Sequence, residues 1–233
     1  MYLPDEASDS KGVLTENGTI IYNNEEKSVT VGVQPLQETT NNVSFEGVRT
    51  TITIADSTAS KEYEFAYDLP DGYKLVTAAN YLGDEYDTGE VYIVDTDNII
   101  TTIIDPAWAK DANGSDIETY YKVNGNKLIQ VVNFDEDTAF PVVADPSAWK
   151  IGMCIANIAA FIAGYAFPIS KIMKAKRYIK ALGGLKTAAT LLIKYSSITA
   201  IERAAIGKAT RDALGGLFLT FVGVDGIRGY CLS

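Results

Sequence analysis

Two cysteines, a cluster of lysines and no histidine define the chemistry open to this chain. Without imidazole there is no Ser–His or Cys–His pair and no His-ligated metal. The remaining Ser, Tyr, Lys, Asp and Glu side chains form no nucleophile elbow, phosphate loop or paired-carboxylate motif. An enzyme is not expected, and neither is a cofactor or a resident metal. The nearest approach to a metal loop is Asp111-Ala112-Asn113-Gly114-Ser115-Asp116. It lacks the ligand density and closing acidic residue of a calcium loop. Asp and Asn there are expected to hold a solvated turn.

The cations are more informative. Lys171, Lys174, Lys176, Arg177 and Lys180 fall within one helical stretch, Lys186 and Lys194 follow, and no acidic residue occurs between 146 and 201. Ile169, Ile172, Met173, Lys176, Ile179 and Leu182 share one sector approximately, with Lys171, Lys174, Arg177 and Lys180 broadly opposite. A basic amphipathic helix of this kind suits an anionic membrane surface; the other reading is a solvated basic face on an ordinary bundle. Cys154 and Cys231 bracket the same region. As a disulfide they would close a loop of about 77 residues and contribute about 4–5 kcal/mol, in an extracytoplasmic setting. The alternative is a pair of buried thiols in a reducing compartment.

Around these residues the charge is divided. The net charge of −10 over 233 residues is the remainder of two opposite parts. Residues 1–145 hold 8 Lys+Arg against 27 Asp+Glu, a net of −19, and residues 146–233 hold 12 against 3, a net of +9. The overall acidity argues against a nucleic-acid partner. The split points to an anionic surface, or to contact between the two parts.

The acidic part reads as β. Apolar and polar residues alternate over 28–33, 48–54 and 61–67, and further strands are expected over 73–78, 90–95 and 99–104. Thr119–Val123 and Lys127–Val132 around Asn124-Gly125 should form a hairpin, because Asn-Gly supplies the positive φ angles of a tight turn. Asp105-Pro106-Ala107-Trp108 and Asp145-Pro146-Ser147-Ala148-Trp149 repeat one another. In each, Pro is expected to stop a strand and Trp to cover a sheet end.

After Trp149 the signals turn helical. Residues 151–170 carry no charged side chain, long enough for a membrane span but diluted by Asn157, Gly164 and Pro168, so a buried central helix is the preferred reading. Gly183-Gly184 should end the basic helix, and 185–194 should form the next. Thr199 and Glu202 have capping-box spacing and should open a helix to about Leu214. Gly215-Gly216 should break it, leaving 217–222 as a short apolar helix.

The expected fold is α+β: an N-terminal antiparallel β sandwich or open barrel followed by a small C-terminal helical bundle. Residues 1–17 form a flexible acidic N-terminus, 18–145 an acidic β-rich domain and 146–233 a basic, hydrophobic helical domain. The segment 1–17 has no apolar signal core.

Three stretches carry a resemblance: Asp105–Gly114, Tyr121–Val132 and Phe140–Pro146, the last reading Phe-Pro-Val-Val-Ala-Asp-Pro. They resemble a module of secreted Gram-positive, especially actinobacterial, proteins, in which a β-rich segment precedes a helical tail ending like Gly229-Tyr230-Cys231. The resemblance spans roughly residues 20–233 and implies secretion and this architecture; no activity comes with it. The helical part is also similar in character to compact helical bacteriocins of the saposin-like kind.

The leading expectation is a secreted antibacterial protein. Its basic helical domain would act on anionic bacterial membranes, and the acidic β domain would cover that helical domain until processing near Asp145-Pro146 released it. An alternative is a secreted or cell-envelope interaction module anchored by its helices. A third is an immunity or inhibitor protein with an acidic binding face.

Overall fold

The computed structural model describes residues 1–40, 43–150, 152–164 and 167–232. In chain order it forms α1 (Asp5–Ser8), β1 (Val13–Leu14), β2 (Ile20–Asn24), β3 (Val29–Thr40), β4 (Val43–Ile54), β5 (Glu62–Ala66) and β6 (Lys74–Thr77). Then come α2 (Ala78–Leu82), β7 (Val91–Val94), β8 (Ile100–Ile104), β9 (Trp108–Lys110), β10 (Thr119–Asn124), β11 (Lys127–Val132), β12 (Val142–Asp145) and β13 (Ser147–Lys150). The helical region holds α3 (Met153–Ala163), α4 (Ile169–Ala181), α5 (Leu185–Lys194), α6 (Ile198–Arg203), α7 (Lys208–Phe221) and α8 (Asp225–Cys231). This is the expected α+β order, antiparallel sheets followed by helices.

The alternation of side chains sorts the molecule into three layers. A ten-stranded sheet runs β1-β2-β3-β4-β13-β8-β7-β6, with β12 and β9 attached beside β4, and a three-stranded sheet runs β10-β11-β5. Strand β7 is buried throughout, so both faces of the large sheet are covered there. Its Val91 and Ile93 pack with Val31, Ile52, Phe65 and Leu128 toward the small sheet. Tyr92 and Val94 point the other way and join Phe45, Ile103 and Trp149 in one core with the helices. Period-two side-chain placement makes one strand serve both cores. Helix α3, from the uncharged stretch, is the buried central helix expected there, with Ile155, Ile158, Phe161 and Ile162 inside. Ile151, Tyr165 and Ala166 of that stretch lie outside the described residues. Among the described residues no helix is long and apolar enough to cross a membrane.

The boundary between the acidic and basic parts lies inside the large sheet. Val142 pairs with Ile54, Ala144 with Ile52, Ser147 with Arg49 and Trp149 with Gly47, so β12 and β13 keep one register along β4. Pro146 interrupts the ladder without shifting it, and its carbonyl still accepts from Thr50 N at 3.2 Å. On the other side β12 pairs with β9 and β13 with β8. The two Asp-Pro motifs therefore sit side by side, joined by Asp105 N donating to Ser147 O at 2.9 Å. Each Pro breaks a strand as expected, and the strand resumes beyond it.

Several expectations need correction. Asn124 pairs with Lys127, which leaves Gly125-Asn126 as the turn, with Gly125 at φ +60°. Glycine in the first central position suits a type II′ turn, so the hairpin forms one residue out of the expected phase. The N-terminal seventeen residues are not free: they contain α1 and β1, and Ala7 is buried against the sheet. Thr199 opens no helix. Ser197 caps α6, its hydroxyl accepting from Ala200 N, and Arg211 donates to the Ala204 and Ile206 carbonyls between α6 and α7. Helix α7 then runs straight through Gly215-Gly216. A side chain at Gly216 would overlap the Tyr178 ring of α4, so the glycine is there for helix contact.

Candidate functional site

Two surfaces of the helical layer carry the chemistry: an inner one against the sheet and an outer one facing solvent. The inner seam is built from acidic side chains of strands and the N-terminal turn of α5. Glu90, ahead of β7, is 2% exposed. Its carboxylate accepts from Leu185 N at 2.9 Å, Lys186 N at 3.3 Å, Tyr92 Oη at 2.7 Å and Thr88 Oγ1 at 2.9 Å. A glutamate from the sheet thereby caps a helix that has no side-chain cap of its own, placing negative charge at the positive end of the dipole. Burial pushes the Glu90 carboxyl above its ordinary value, and the four hydrogen bonds pull the other way. The approach requires Gly184, which stands at φ +120° with the Glu90 carboxylate 2.6 Å from where a Cβ would be.

Beside this cap, Lys186 turns inward. Its ammonium lies 3.1 Å from Asp105 Oδ2, 3.9 Å from Glu38 and 3.5 Å from the centre of the Trp149 ring. Trp149 Nε1 donates to the same Asp105 oxygen at 2.7 Å. Both Asp-Pro motifs thus feed one contact between the acidic and basic parts. The second aspartate, Asp145, is 3% exposed, pairs with Arg49 at 2.9 Å and accepts from Ser147 Oγ at 2.8 Å. Burial raises its carboxyl, and Ser147 and Arg49 oppose that rise. Asp145 and Pro146, the expected processing region, are both buried within the strand ladder. Proteases favour exposed, flexible segments, and this junction is neither exposed nor outside the ladder in the folded chain.

The outer surface centres on α4. Ala175, Ile179 and Leu182 form its buried stripe, with Ile172 partly buried beside them. Ile169, Met173 and Arg177 follow one another at i, i+4 and i+8 on the opposite, outward face, with Lys174 and Lys180 flanking and Lys171 exposed in the first turn. Apolar and basic residues therefore share one face, where the sequence pattern had set them apart. Lys180 donates to Glu85 O at 2.6 Å, and Arg177 lies 5.2 Å from the Tyr178 ring. Lys176 is half-buried, and burial lowers its ammonium against the opposing pull of Glu85. Lys194 is exposed at the end of α5, near the Tyr195 ring. Among the described residues no carboxylate lies within ion-pair distance of Lys171, Lys174 or Arg177.

Phe161 of α3 packs on Phe167, just ahead of α4, and on Phe221 at the end of α7. The start of α4 and the end of α7 therefore meet at one end of the bundle. On α4, Ile169 is 77% and Met173 38% exposed; near the end of α7, Leu219 is 63% and Val222 54% exposed. Ile169 and Met173 thus form an exposed apolar pair on α4 beside Lys171 and Lys174.

Cys154 and Cys231 form a disulfide with Cα atoms 5.0 Å apart, tying the start of α3 to the end of α8. Asp111, in the acidic loop, spends Oδ1 on Asn113 N and Ser115 N, holding its own turn. Comparison with family models, characterised proteins and solved structures finds no match to this chain.

Proposed function

We propose that the protein is a secreted antibacterial protein that engages anionic bacterial membranes through the outer face of its helical layer. The observation that carries this reading is the exposed apolar pair Ile169 and Met173 on the same face of α4 as Arg177, with Lys171, Lys174 and Lys180 exposed beside it. Each basic residue near an anionic bilayer contributes about 1 kcal/mol, and the apolar pair adds burial at the headgroup boundary. The disulfide supports an oxidising, extracytoplasmic setting. The large sheet packs on α3 through β8 and on α5 through β3, in one core with the other helices, so it acts as a cover that such helices need in water.

A second reading, an envelope-anchored interaction module, rests on a different observation. The buried ladder at Asp145-Pro146 keeps the two parts together, so the intact protein would be the active form. Intact protein mixed with dye-loaded vesicles separates the two. Binding with dye release from anionic, but not zwitterionic, vesicles supports the antibacterial reading. Binding without release selects the module. No binding to anionic vesicles at low salt refutes both, and Met173→Glu should weaken any binding through this face.

A further inference from the structure

Three contacts tie the end of the helical region to α3, and they run in reverse order along it. Phe221, closing α7, packs edge-on against Phe161. Gly226 of α8 lies so close to Asn157 that a Cβ there would stand 2.2 Å from Asn157 Oδ1. Cys231, the last residue of α8, is bonded to Cys154. Helix α8 therefore runs back along α3 and covers the side of its first turns that carries Cys154 and Asn157. That side belongs to a segment, 152–164, without a charged residue. Little besides the bond holds α8 in place. Of its seven residues only Ile227 and Cys231 are buried, and its N-terminus has no side-chain cap. Gly226 and Gly229 lower its helical propensity further, and a helix of two turns does not persist on its own. Ahead of it stands Gly223 at φ +86°, exposed and with open space around the position of a Cβ.

We propose that α8 is a redox-released strap: the Cys154–Cys231 bond latches it over α3, and reduction lets it swing away about Gly223 while the sheets and other helices stay folded. The reductant is a dithiol. One of its thiolates attacks a sulfur of the bond, and the other cysteine leaves as a thiolate that takes up a proton. The second thiol of the reductant then displaces the first cysteine and closes its own disulfide, so two electrons and two hydrogens pass to the protein. Both cysteines are 2% exposed, so attack waits for the last turn of α8 to open, where Arg228, Gly229 and Tyr230 are all exposed. Once the bond is broken, burial of Ile227 and of the cap residue Val224 faces the entropy of ordering the whole strap, and the balance favours release. In oxidising surroundings the strap stays shut. In reducing ones the uncharged start of α3, beside Met153 at 55% exposure, is uncovered. The latch is independent of the membrane reading: it decides when α3 is uncovered, not what meets it.

Hydrogen exchange of the intact protein, before and after dithiothreitol in native buffer, tests this without any membrane. In the oxidised chain Arg228 N bonds Val224 O and Leu232 N bonds Arg228 O. After reduction the amides of 225–232 should exchange within about tenfold of an unstructured chain, while those of β4 and α5 stay protected by about a thousandfold or more. An apolar fluorescent dye should brighten with the reduced protein and not with the oxidised one, and reoxidation should reverse both changes. Cys231→Ser should match the reduced wild type with no reductant present. Because reduction begins from the folded, oxidised chain, that arm stands even where the variant does not fold. Amides of 225–232 that keep their oxidised-state protection, with both thiols confirmed by mass, overturn the proposal. So does a loss of protection that reaches β4 and α5 together with α8, or a bond that the dithiol opens only under unfolding denaturant.

Discussion

Replacing Glu90 by Ala tests whether the two charged parts are held together by the cap on α5. The change strips Leu185 N, Lys186 N, Tyr92 Oη and Thr88 Oγ1 of a common acceptor. The Leu185 and Tyr92 bonds are fully buried. Two orphaned buried donors cost about 2–6 kcal/mol together. Removing a buried carboxylate relieves part of this, since ion burial carries a penalty of its own, and the balance is a net loss of about 3 kcal/mol. Urea unfolding at neutral pH, followed by tryptophan emission, measures it. Hydrogen exchange should show the Leu185 and Lys186 amides losing protection first. Glu90→Gln supplies the pH control. Because burial raises the Glu90 carboxyl in the folded state, the folded chain binds that proton more tightly than the unfolded chain does. Its contribution is fully present below the ordinary glutamate value and is lost as pH rises through the raised one. The advantage of wild type over Glu90→Gln should therefore shrink as pH rises across the acid range. A loss below about 1 kcal/mol in Glu90→Ala, with the Leu185 amide still protected, refutes the cap.

Three other perturbations follow from the same seam and its surroundings. Gly184→Ala meets both an unfavourable φ of +120° and the Glu90 carboxylate, and should destabilise by more than about 2 kcal/mol in the same urea assay. Lys186→Met deletes the pair with Asp105 and the cation over Trp149; with Asp105 29% exposed, the expected loss is about 2 kcal/mol, below that of a fully buried pair. The tryptophan emission should shift as the ammonium leaves the ring. Reducing Cys154–Cys231, which spans 77 residues, should lower stability by about 4–5 kcal/mol, read as a drop in urea midpoint between oxidised and reduced protein.

Local pattern made most elements legible. Leu185–Lys194 and Lys127–Val132 appear with the expected ends, because apolar spacing and flanking glycines act over a few residues. Where non-local packing decided the outcome, the local signs misled. Gly215-Gly216 looks like a helix stop, yet it lies mid-helix because Tyr178 needs the space. Asp145-Pro146 coincides with a change in charge and in periodicity, yet the chain crosses it without leaving the sheet. The candidate site divided in the same way. The exposed lysines of α4 could be read from composition. The inward turn of Lys186 could not, since its partners Asp105 and Glu38 come from distant strands. Glu90 carried no motif at all; its role arises only when β7 meets the start of α5.

The single register of β12 and β13 along β4 also dictates an order of events in folding. The partners of β4 on that side come 88 residues later at Val142 and 102 residues later at Trp149. At about 5–20 residues per second, synthesis leaves that edge of β4 open for about 5–20 s. An open edge of alternating apolar residues is a template for pairing with other chains. The acidic segment therefore cannot mature ahead of the basic one: the middle of its sheet is filled by the first residues of the region that becomes helical. Contacts of such long range make for slow folding. Cys231, near the end of the chain, is the last bridged residue to emerge, so covalent closure can only follow the arrival of every strand.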